Sequence, residues 1–563
     1  MIRKIVFDFF APVISAFLLG ILLALLANGF VSTVSASADL RASLDILQFS
    51  VGTHTYSLVS VVSLTLAAFF ICCIKNIFEI KAWRGPADTI FSAHTNQKDH
   101  QIKQGVGSTL AALVVTSAGG SVGQYGPLVH LGSTIGLWIQ KFTRVENDVL
   151  IGCGVAAAIS AGFGAPIAGV LFAHEAILRH FSLRAVAPIF IASFSASAFS
   201  NVFWGTSENI FNVTSADVSL SSLIIIFLLL GPIFSLMAFS FMRLTRFFSQ
   251  FAESKSQRGK TIFLFTGALI CGFIGIFYPE ILGIGTASMG LLLSNTFSTD
   301  HLLMLFLLKL VMTSLCIGCG LFGGVFSPAL FIGIAGGSIA ASLMGLIGLE
   351  GYAQIVMIAG MAAVSSCVIG APITSILLVL ELTGSYQFAI SAMVAVVIAN
   401  LITHKLYGLS YFDRVLLDRG IDIKSGREAI SQSQQSVMSC EGVAYTQVSL
   451  DMTGLEALEL MRKNKTTESY IIDSTDIFRG KVDIFEAIEA GNSPLSSAPK
   501  KQFTFLKEDE SIQTAMQRLA SFVGESIPIL SSDKSQLRKV ITEGSLFDQV
   551  IAIQKQTKDI ERS

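Results

Sequence analysis

The sequence predicts an all-α protein that crosses a membrane many times and continues into a smaller α/β domain. Hydrophobic residues make up 52% of the 563 residues and charged residues only 14%, with a mean hydropathy of +0.67. Most of such a chain cannot fold as a water-soluble globule. Apolar segments continue to about residue 406, whereas the composition becomes polar after residue 425. The net charge of -1 gives no indication of a nucleic-acid partner.

The first apolar segment, about residues 9 to 30, predicts a spanning helix that is retained rather than a secretory signal. It is about 22 residues long, and the apolar core of a signal is roughly 7 to 15 residues. Arg3 and Lys4 precede it, and the loop at 32 to 54 carries only Arg41, whereas residues 75 to 104 hold five basic residues. By the positive-inside rule, the N-terminus and that second loop are cytoplasmic.

An internal repeat predicts two homologous membrane halves, about residues 55 to 205 and 220 to 406. "GVAAAISAGFGAPIAGVLFAHE" (154–175) aligns with "GMAAVSSCVIGAPITSILLVLE" (360–381) without a gap, at a constant offset of 206. Several apolar segments are short or broken by glycine, as expected for discontinuous helices in inverted-topology repeats. The final glutamates of the two segments, Glu175 and Glu381, match each other, which favours a structural role such as accepting backbone N–H bonds.

A glycine-rich stretch precedes the repeated segment in each half. "GGSVGQYGPLVHLG" (119–132) resembles "GLFGGVFSPALFIG" (320–333), with Gly123 on Gly324 and Pro127 on Pro328. Glycine-rich turns before a helix bring backbone N–H groups close to an anion. Each half is therefore predicted to contribute one such turn.

Three other motifs do not carry the chemistry that they suggest. "GCGLFG" (318–323) matches G-x-G-x-x-G, but no strand precedes it and no acidic residue follows at the required distance. "HEAILRH" (174–180) has Leu178 where a zinc protease motif needs histidine. The eight cysteines are scattered in mostly apolar segments, which favours buried free thiols. We therefore expect no enzyme activity and no metal. Lys309 lies within an apolar run, where a charged side chain facing lipid would be costly. We therefore expect it to face protein or a water-filled path.

The C-terminal region predicts a soluble α/β domain. Residues 425 to 436 are rich in serine and glutamine and predict a linker. Residues 437 to 563 contain two similar units, each with a helix, a strand, a second strand and a closing helix: "GLEALELMRKNK", "ESYIID" and "GKVDIFEAIEA", then "SIQTAMQRLASF", "SIPIL" and "RKVITEGSLFDQV".

At the glycine-rich turns the chain resembles the CLC family of chloride channels and chloride–proton transporters. "GGVFSP" (323–328) matches the family's G-x-F-x-P filter motif, and "GQYGP" (123–127) stands where the family has G-[KR]-E-G-P. "LFAHEA" (171–176) stands where the family has F-x-x-E-E, and "SYFDRVLLDRG" (410–420) resembles the segment with its central tyrosine. Residues 1 to 424 correspond to the transmembrane domain, and the tail resembles the paired CBS domains of many members.

The resemblance implies a homodimer in a lipid bilayer, with a separate anion path in each subunit. The backbone donors would be Val325 and Phe326 in one half and the turn around Tyr125 in the other. Partial charges of about +0.5 at helix N-termini hold an anion loosely enough for turnover. The filter residues carried over from the family are Gly123, Gln124, Tyr125, Gly126, Pro127, Gly324, Val325, Phe326, Ser327, Pro328 and Phe412.

The sequence departs from the family at the positions that handle protons and side-chain hydroxyls. The gating glutamate falls on Tyr125, and no Asp or Glu occurs between residues 100 and 145. The inner proton glutamate falls on Ala176. The central tyrosine falls on Phe412, although Tyr411 is one residue away. The family's G-S-G-I-P loop, in which a serine hydroxyl contacts chloride, aligns with "WRGPAD" (83–88). Arg84 and Gly85 would then be contacts at the inner mouth of the anion path. Alternatively, Arg84 is a cytosolic residue that follows the positive-inside rule.

These departures predict passive, proton-uncoupled anion conduction or uniport. Tyr125 would be the gate, because its ring can occlude the outer mouth and its hydroxyl can donate to an anion; the alternative is that it permanently plugs the site. A chloride–proton antiporter with an unusual carrier, and a carrier of bicarbonate or nitrate, stay open. So does a transport-inactive sensor acting through the tail.

The CBS-like pair raises a second function, the binding of an adenine nucleotide. Glu486 in the first unit, and Thr542 in the second, would lie near the start of the closing helices, where such pairs contact ribose; Ser545 occupies the position that matches Glu486. The alternative is a scaffold that stabilises the dimer. We expect the protein in the cell membrane, a bacterial inner membrane, with both termini cytoplasmic.

Overall fold

The computed structural model describes residues 2–44, 48–51, 54–95, 102–143, 145–205, 211, 219–294, 297–497 and 503–562. The chain divides into two compact units, residues Met1–Gly420 and Ile421–Ser563. The first unit is almost entirely helical, and the second contains two small sheets. The predicted fold class, a helical membrane protein with an α/β tail, is confirmed at this level.

The helices of the first unit are α1 (Ile2–Ser43), α2 (Val59–Ile77), α3 (Pro86–His94), α4 (Ile102–Ser117), α5 (Tyr125–Gln140), α6 (Asn147–Phe163), α7 (Pro166–Phe172), α8 (Leu183–Trp204), α9 (Leu220–Glu253), α10 (Gln257–Phe277), α11 (Thr286–Leu293), α12 (Thr299–Cys319), α13 (Phe326–Gly345), α14 (Ala353–Ile369), α15 (Pro372–Thr383), α16 (Tyr386–Leu406) and α17 (Tyr411–Asp418). A hairpin, β1 (Gln48–Val51) and β2 (His54–Ser57), connects α1 to α2. In the described part of the chain, nine helices are long and apolar enough to cross a membrane.

Both halves break their helices in the same way. In the first half, α6 ends before Gly164, which has φ 66°, and α7 begins at Pro166. In the second half, α14 ends before Gly370, with φ 73°, and α15 begins at Pro372. Glycine adopts this left-handed conformation without strain, and proline is well suited to the first position of a helix. The predicted discontinuous helices are therefore present in both halves.

In each half, close backbone packing holds the helix that follows the glycine-rich turn against the helix that ends at the break. A Cβ on Gly132 would lie 2.2 Å from Gly154 O, and one on Gly333 would lie 2.4 Å from Gly360 O. The first pair joins α5 to α6, and the second joins α13 to α14. Small residues let membrane helices approach this closely. The repeated glycines therefore place α5 and α13 against matching partners.

The matched glutamates connect the two halves reciprocally. The Glu175 carboxylate, in a π-helical segment (Ala173–Leu178), accepts bonds from Ile373 N at 2.9 Å and Thr374 N at 2.8 Å, at the start of α15. The Glu381 carboxylate accepts bonds from Ile167 N at 2.8 Å and Ala168 N at 2.7 Å, at the start of α7. Each glutamate thus satisfies N–H groups that have no intrahelical acceptor. The predicted structural role of this pair is confirmed.

Lys309 faces protein, which is one of the two environments predicted for it. Its side chain is fully buried, and the ammonium donates to Ile281 O at 2.8 Å and to Gly283 O at 3.0 Å. The same group lies 5.1 Å from the centre of the Phe331 ring. Carbonyl dipoles and the aromatic face compensate the burial of the charge.

The second unit contains two βαββα repeats. Its elements are α18 (Gly426–Gln434), β3 (Thr446–Val448), α19 (Gly454–Asn464), β4 (Glu468–Ile472), β5 (Phe478–Asp483), α20 (Ile484–Ala490), β6 (Leu506–Lys507), α21 (Ile512–Leu519), β7 (Ile527–Leu530), β8 (Leu537–Ile541) and α22 (Glu543–Arg562). The sheets have the orders β3-β4-β5 and β6-β7-β8, and in each the first pair of strands is parallel and the second antiparallel. The elements predicted for both units are present.

The segment predicted as a linker is instead part of this second unit. Residues 425 to 436 include the helix α18, in which Ile430 is buried at 2% exposure. Gln554 of α22 donates to Glu428, and Gln549 donates to Gln435 Oε1 at 2.9 Å. The serine and glutamine content indicated a flexible segment, whereas one buried apolar side chain and amide hydrogen bonds hold it in place.

Candidate functional site

The two glycine-rich turns, residues 123–127 and 324–328, meet through their backbones. Gly123 N–H donates to Gly324 O at 2.7 Å, and Gly324 N–H donates to Gly123 O at 2.6 Å, in an antiparallel bridge. A Cβ on Gly123 would lie 2.9 Å from Gly324 O, and a Cβ on Gly324 would lie 2.9 Å from Gly126 N. Only glycine permits this approach at both positions. The structure therefore brings the two predicted turns together as one site, the paired turns.

A helix begins two residues after each bridging glycine, and the first N–H groups of that helix have no acceptor in the part of the chain that the structure describes. α5 begins at Tyr125 and α13 at Phe326, each with a proline at its third position. The N–H groups of Tyr125, Gly126, Phe326 and Ser327 have no intrahelical acceptor because of their position. No other acceptor for them occurs among the described residues. Free N–H groups and the positive ends of two helix dipoles are the features that a backbone anion site requires.

Tyr125 is held against the C-terminal end of α6. Its ring is buried at 5% exposure and stacks on Phe163, with 3.4 Å between ring centres. The hydroxyl donates to Gly162 O at 3.1 Å. Phe326 approaches Phe163 edge-on at 5.2 Å. The hydroxyl that the sequence predicted as an anion donor is therefore bonded to the protein backbone in this conformation.

Sequence reasoning missed Gly162 and Phe163 as partners of Tyr125. A Cβ on Gly162 would lie 2.9 Å from Tyr125 Cε1, so the glycine makes room for the ring. Both residues lie within the repeated segment, where Phe163 is matched by Ile369. The same kind of exchange occurs at Phe172, which is matched by Leu378, so the sequence did not mark Phe163 as a partner of Tyr125.

Two buried polar side-chain atoms at the paired turns have no hydrogen-bond partner within the described structure. They are Ser327 Oγ, on a side chain with 0% exposure, and Gln124 Oε1, on a side chain with 2% exposure. Unpaired buried polar atoms are costly and uncommon in folded proteins. A ligand or a water molecule at the paired turns would satisfy them.

Arg84 and Gly85 lie at the start of α3 and are bound to other parts of the protein. The Arg84 guanidinium donates to Asp88 Oδ1 at 2.8 Å and to Gln104 Oε1 at 3.2 Å. Gly85 N–H donates to Asp88 Oδ2 at 3.0 Å. Arg419 donates to Asp88 Oδ1 at 2.9 Å. The described conformation thus uses Arg84 for an intramolecular ion pair.

Asp88 is the acidic centre of this cluster and was not singled out from the sequence. Burial by itself would raise the pKa of Asp88. The charge of Arg419 and the hydrogen bonds from Arg84 and Gly85 oppose that effect, so the pKa is lowered from its ordinary value. The carboxylate is therefore charged at neutral pH and links α3 to the end of α17.

Phe412 and Ala176 are both buried and bring no polar group. Phe412 lies in the first turn of α17 at 5% exposure, after Ser410, whose Oγ accepts a bond from Asp413 N at 3.2 Å. Ala176 lies in the π-helical segment at 3% exposure. Its neighbour Glu175 is fully used at the start of α15. Neither position supplies the hydroxyl or carboxylate that the family resemblance would place there.

Glu486 and Thr542 lie at corresponding helix starts in the tail, but each is engaged in capping. Glu486, at 7% exposure, accepts a bond from Asp483 N, and Asp483 accepts one from Glu486 N. Thr542 Oγ1 accepts a bond from Ser545 N at 3.1 Å. These bonds explain why acidic and hydroxyl residues occur here without any ligand.

The fold and site define a class: a multi-pass membrane protein in which two half-domain helices present free N–H groups at paired glycine turns. The chain belongs to the family described as voltage gated chloride channel, whose profile matches residues 64–404.

Relatives of known name support this membership. The H(+)/Cl(-) exchange transporter ClcA of Yersinia pestis is 31% identical over 320 residues, which cover 54% of this chain and 66% of the relative. The chloride channel protein CLC-e of Arabidopsis thaliana is 30% identical over 325 residues, which cover 52% of this chain and 46% of the relative. The match thus spans about two thirds of the bacterial relative and less than half of the plant one.

Solved structures support the fold. A slow cyanobacterial Cl⁻/H⁺ antiporter matches with a TM-score of 0.64 at 22% identity, covering 73% of this chain and 97% of that one. A eukaryotic CLC transporter matches with a TM-score of 0.62 at 15% identity, covering 96% of this chain and 98% of that one. At these identities the likeness concerns the architecture alone.

Proposed function

We propose that this protein moves a chloride-type anion across the membrane passively and without coupled protons, through one path in each subunit of a homodimer. The observation that carries the proposal is the paired turns, where two helix N-termini direct free N–H groups to one place and Tyr125 stands at the start of α5. Backbone donors and partial positive charges bind an anion without the strong attraction of a full charge. The two halves would have inverted topology, with both termini in the cytoplasm of a cell with a bacterial inner membrane.

Tyr125 is proposed to be the gate. A phenol with an ordinary pKa near 10 carries no charge at neutral pH, so it neither competes with an anion as a carboxylate would nor readily carries a proton. Movement of the ring would require loss of the bond to Gly162 O and of the stacking on Phe163. Both contributions are small, on the order of 1 kcal/mol each. Thermal motion is therefore sufficient to move the ring and open the path. The alternative is that Tyr125 permanently plugs the path.

A chloride–proton antiporter is the second candidate, because the bacterial relative and one solved neighbour are named as exchangers. The carboxylates near this site are not free to shuttle protons: Glu175 holds the start of α15, and Asp88 is paired with two arginines. An exchanger would need another carrier, and the candidates named by residue type are the buried histidines His130 and His174.

Flux from proteoliposomes, with internal chloride and external pH recorded in the same trace, separates these candidates. With valinomycin and potassium setting the voltage, the proposal expects chloride efflux without a linked pH change. Proton movement against its gradient, driven by a chloride gradient, would support the antiporter. Silence towards chloride, nitrate and bicarbonate together would support a plugged site or a transport-inactive sensor.

For the tail we propose a CBS-like pair that stabilises the dimer. Binding of an adenine nucleotide near Glu486 and Thr542 is the alternative, and the capping bonds of both residues favour the scaffold. Titration of the full-length protein with labelled ATP tests this choice. Saturable binding that Thr542→Ala abolishes would support the nucleotide site.

A further inference from the structure

Ser327 differs from two other fully buried serines of the membrane helices, Ser338 and Ser365. Ser338 Oγ donates to Ile334 O at 2.9 Å, and Ser365 Oγ donates to Met361 O at 2.8 Å, each to the carbonyl four residues before it. Ser327 is the second residue of α13, so the carbonyl four residues earlier lies outside the helix. Its Oγ has no partner among the described residues, although the side chain is fully buried.

The unpartnered hydroxyl of Ser327 lies beside Gly123, in the glycine-rich turn of the other half. Ser327 Oγ is 3.1 Å from the position that a Cβ on Gly123 would occupy. Gly123 forms the bridge to Gly324, so the hydroxyl lies beside the paired turns and next to the free N–H of its own residue. Gln124 Oε1, the other unpartnered atom there, is not bonded to it and can only accept.

No other side-chain hydroxyl from the predicted filter residues is available to an anion. The Tyr125 hydroxyl donates to Gly162 O. Phe412 has no hydroxyl, and the Arg84 guanidinium is bound to Asp88. A donor that is buried, unpaired and adjacent to free backbone N–H groups is well placed to complete an anion site.

We propose that Ser327 Oγ–H donates a hydrogen bond to the transported anion and sets its selectivity. This proposal rests on the proposed anion transport and deepens it. The hydroxyl favours anions that accept strong hydrogen bonds, such as chloride and nitrate, over the weakly accepting thiocyanate. Hydrogen bonds to charged groups are stronger than neutral ones, so the loss of this one weakens chloride binding about tenfold.

The test compares Ser327→Ala with Ser338→Ala in the full-length protein. Both serines are fully buried in α13, but only Ser338 has its own carbonyl partner. Chloride-dependent thermal stabilisation in detergent gives the binding constant, and liposome flux gives the chloride-to-thiocyanate ratio. The proposal expects Ser327→Ala to raise the chloride concentration for half-saturation about tenfold and to lower the ratio, whereas Ser338→Ala leaves both unchanged.

Equal chloride binding and selectivity in the two variants would overturn the proposal and would assign the unpaired hydroxyl to a buried water. If Ser327→Ala does not fold, Ser327→Cys replaces it, since a thiol is a weaker donor of similar size and an intermediate effect is expected. A wild-type protein that binds chloride but does not transport it contradicts the proposed function, while the binding constants still decide the role of Ser327. A wild-type protein that neither binds nor transports chloride contradicts both.

Discussion

The two halves of the membrane unit build the same backbone at the paired turns and place different side chains on it. In each half, a glycine bridges to the other half, a helix starts two residues later, and a proline stands at the third helical position. The first half begins its helix with Tyr125 and Gly126, and the second with Phe326 and Ser327. The backbone constraint is shared, whereas the chemistry is divided between the halves.

The difference indicates which features of the site are structural and which are functional. Gly123 and Gly324 are needed for the approach of one turn to the other, because a Cβ at either position meets backbone atoms. Tyr125 and Ser327 are not needed for that approach. One carries a hydroxyl bonded to the end of α6, and the other carries a hydroxyl with no protein partner. Changes at the glycines should therefore disturb the fold, and changes at these side chains should disturb transport.

The largest effect is expected from Gly324→Ala. The added Cβ would lie 2.9 Å from Gly126 N and 3.3 Å from Gly123 O, and backbone atoms cannot move aside as a side chain can. We expect a loss of about 3 kcal/mol in stability, near the upper end of overpacking effects, and loss of chloride flux. Thermal unfolding in detergent measures the first effect. Gly290→Ala, in α11 with nothing within 4 Å of its Cβ, is the control and should be tolerated.

Glu381→Gln tests whether the two halves depend equally on their reciprocal contacts. The carboxylate accepts two N–H bonds at the start of α7, and a neutral amide accepts them less strongly. We expect a loss of about 2 kcal/mol in thermal unfolding. Glu175→Gln, which also affects a bond from Thr374 Oγ1 at 2.7 Å, should cost at least as much. The exposed Glu459→Gln should have no effect, and an equally small effect of all three changes would contradict the reciprocal contacts.

Tyr125→Phe removes only the hydroxyl bond to Gly162 and keeps the stacking on Phe163. The loss of about 1 kcal/mol from the closed position should raise chloride flux by up to about fivefold. Liposome efflux measures the change, with Tyr386→Phe as a control, since Tyr386 is 73% exposed. Unchanged flux would indicate that the hydroxyl bond does not hold the gate closed.

Asp88→Asn should have the smallest effect, present at neutral pH and absent at low pH, where the wild-type carboxyl group is also uncharged. Because the pKa of Asp88 is lowered in the folded protein, its contribution to stability is present above the ordinary pKa and is lost as the pH falls through the lowered value. Both arginine partners are more than a third exposed, so we expect under about 1 kcal/mol. In the wild type, thermal stability should therefore decline below about pH 4. The variant should show a flatter pH dependence there, and parallel pH curves would contradict this account.

Much of the backbone could be predicted from the sequence because the repeat keeps its glycines and prolines in register. The breaks at Gly164 and Gly370, the capping roles of Glu175 and Glu381, and the helices and strands of the tail all follow from local or repeated patterns. These features depend on residues that are close in sequence or matched by the repeat. They leave a signal that a single chain can show.

Other features depend on contacts that a single sequence does not show. The stacking of Tyr125 on Phe163 joins α5 to the end of α6. The ion pair of Asp88 with Arg419 joins two residues that are 331 positions apart in the sequence. Neither pair is marked by spacing or repetition. The segment around Ile430 was predicted to be a linker because its composition is polar, although one buried apolar residue is enough to dock a short helix.

The most direct test of the account is the voltage at which net chloride flux stops when chloride and pH gradients are imposed together across proteoliposomes. A path without proton coupling predicts a zero-flux voltage equal to the chloride equilibrium potential, whatever the pH gradient. A zero-flux voltage that shifts with the pH gradient at constant chloride would contradict the account, because it would require a proton carrier at a site where Tyr125 and Ala176 provide none.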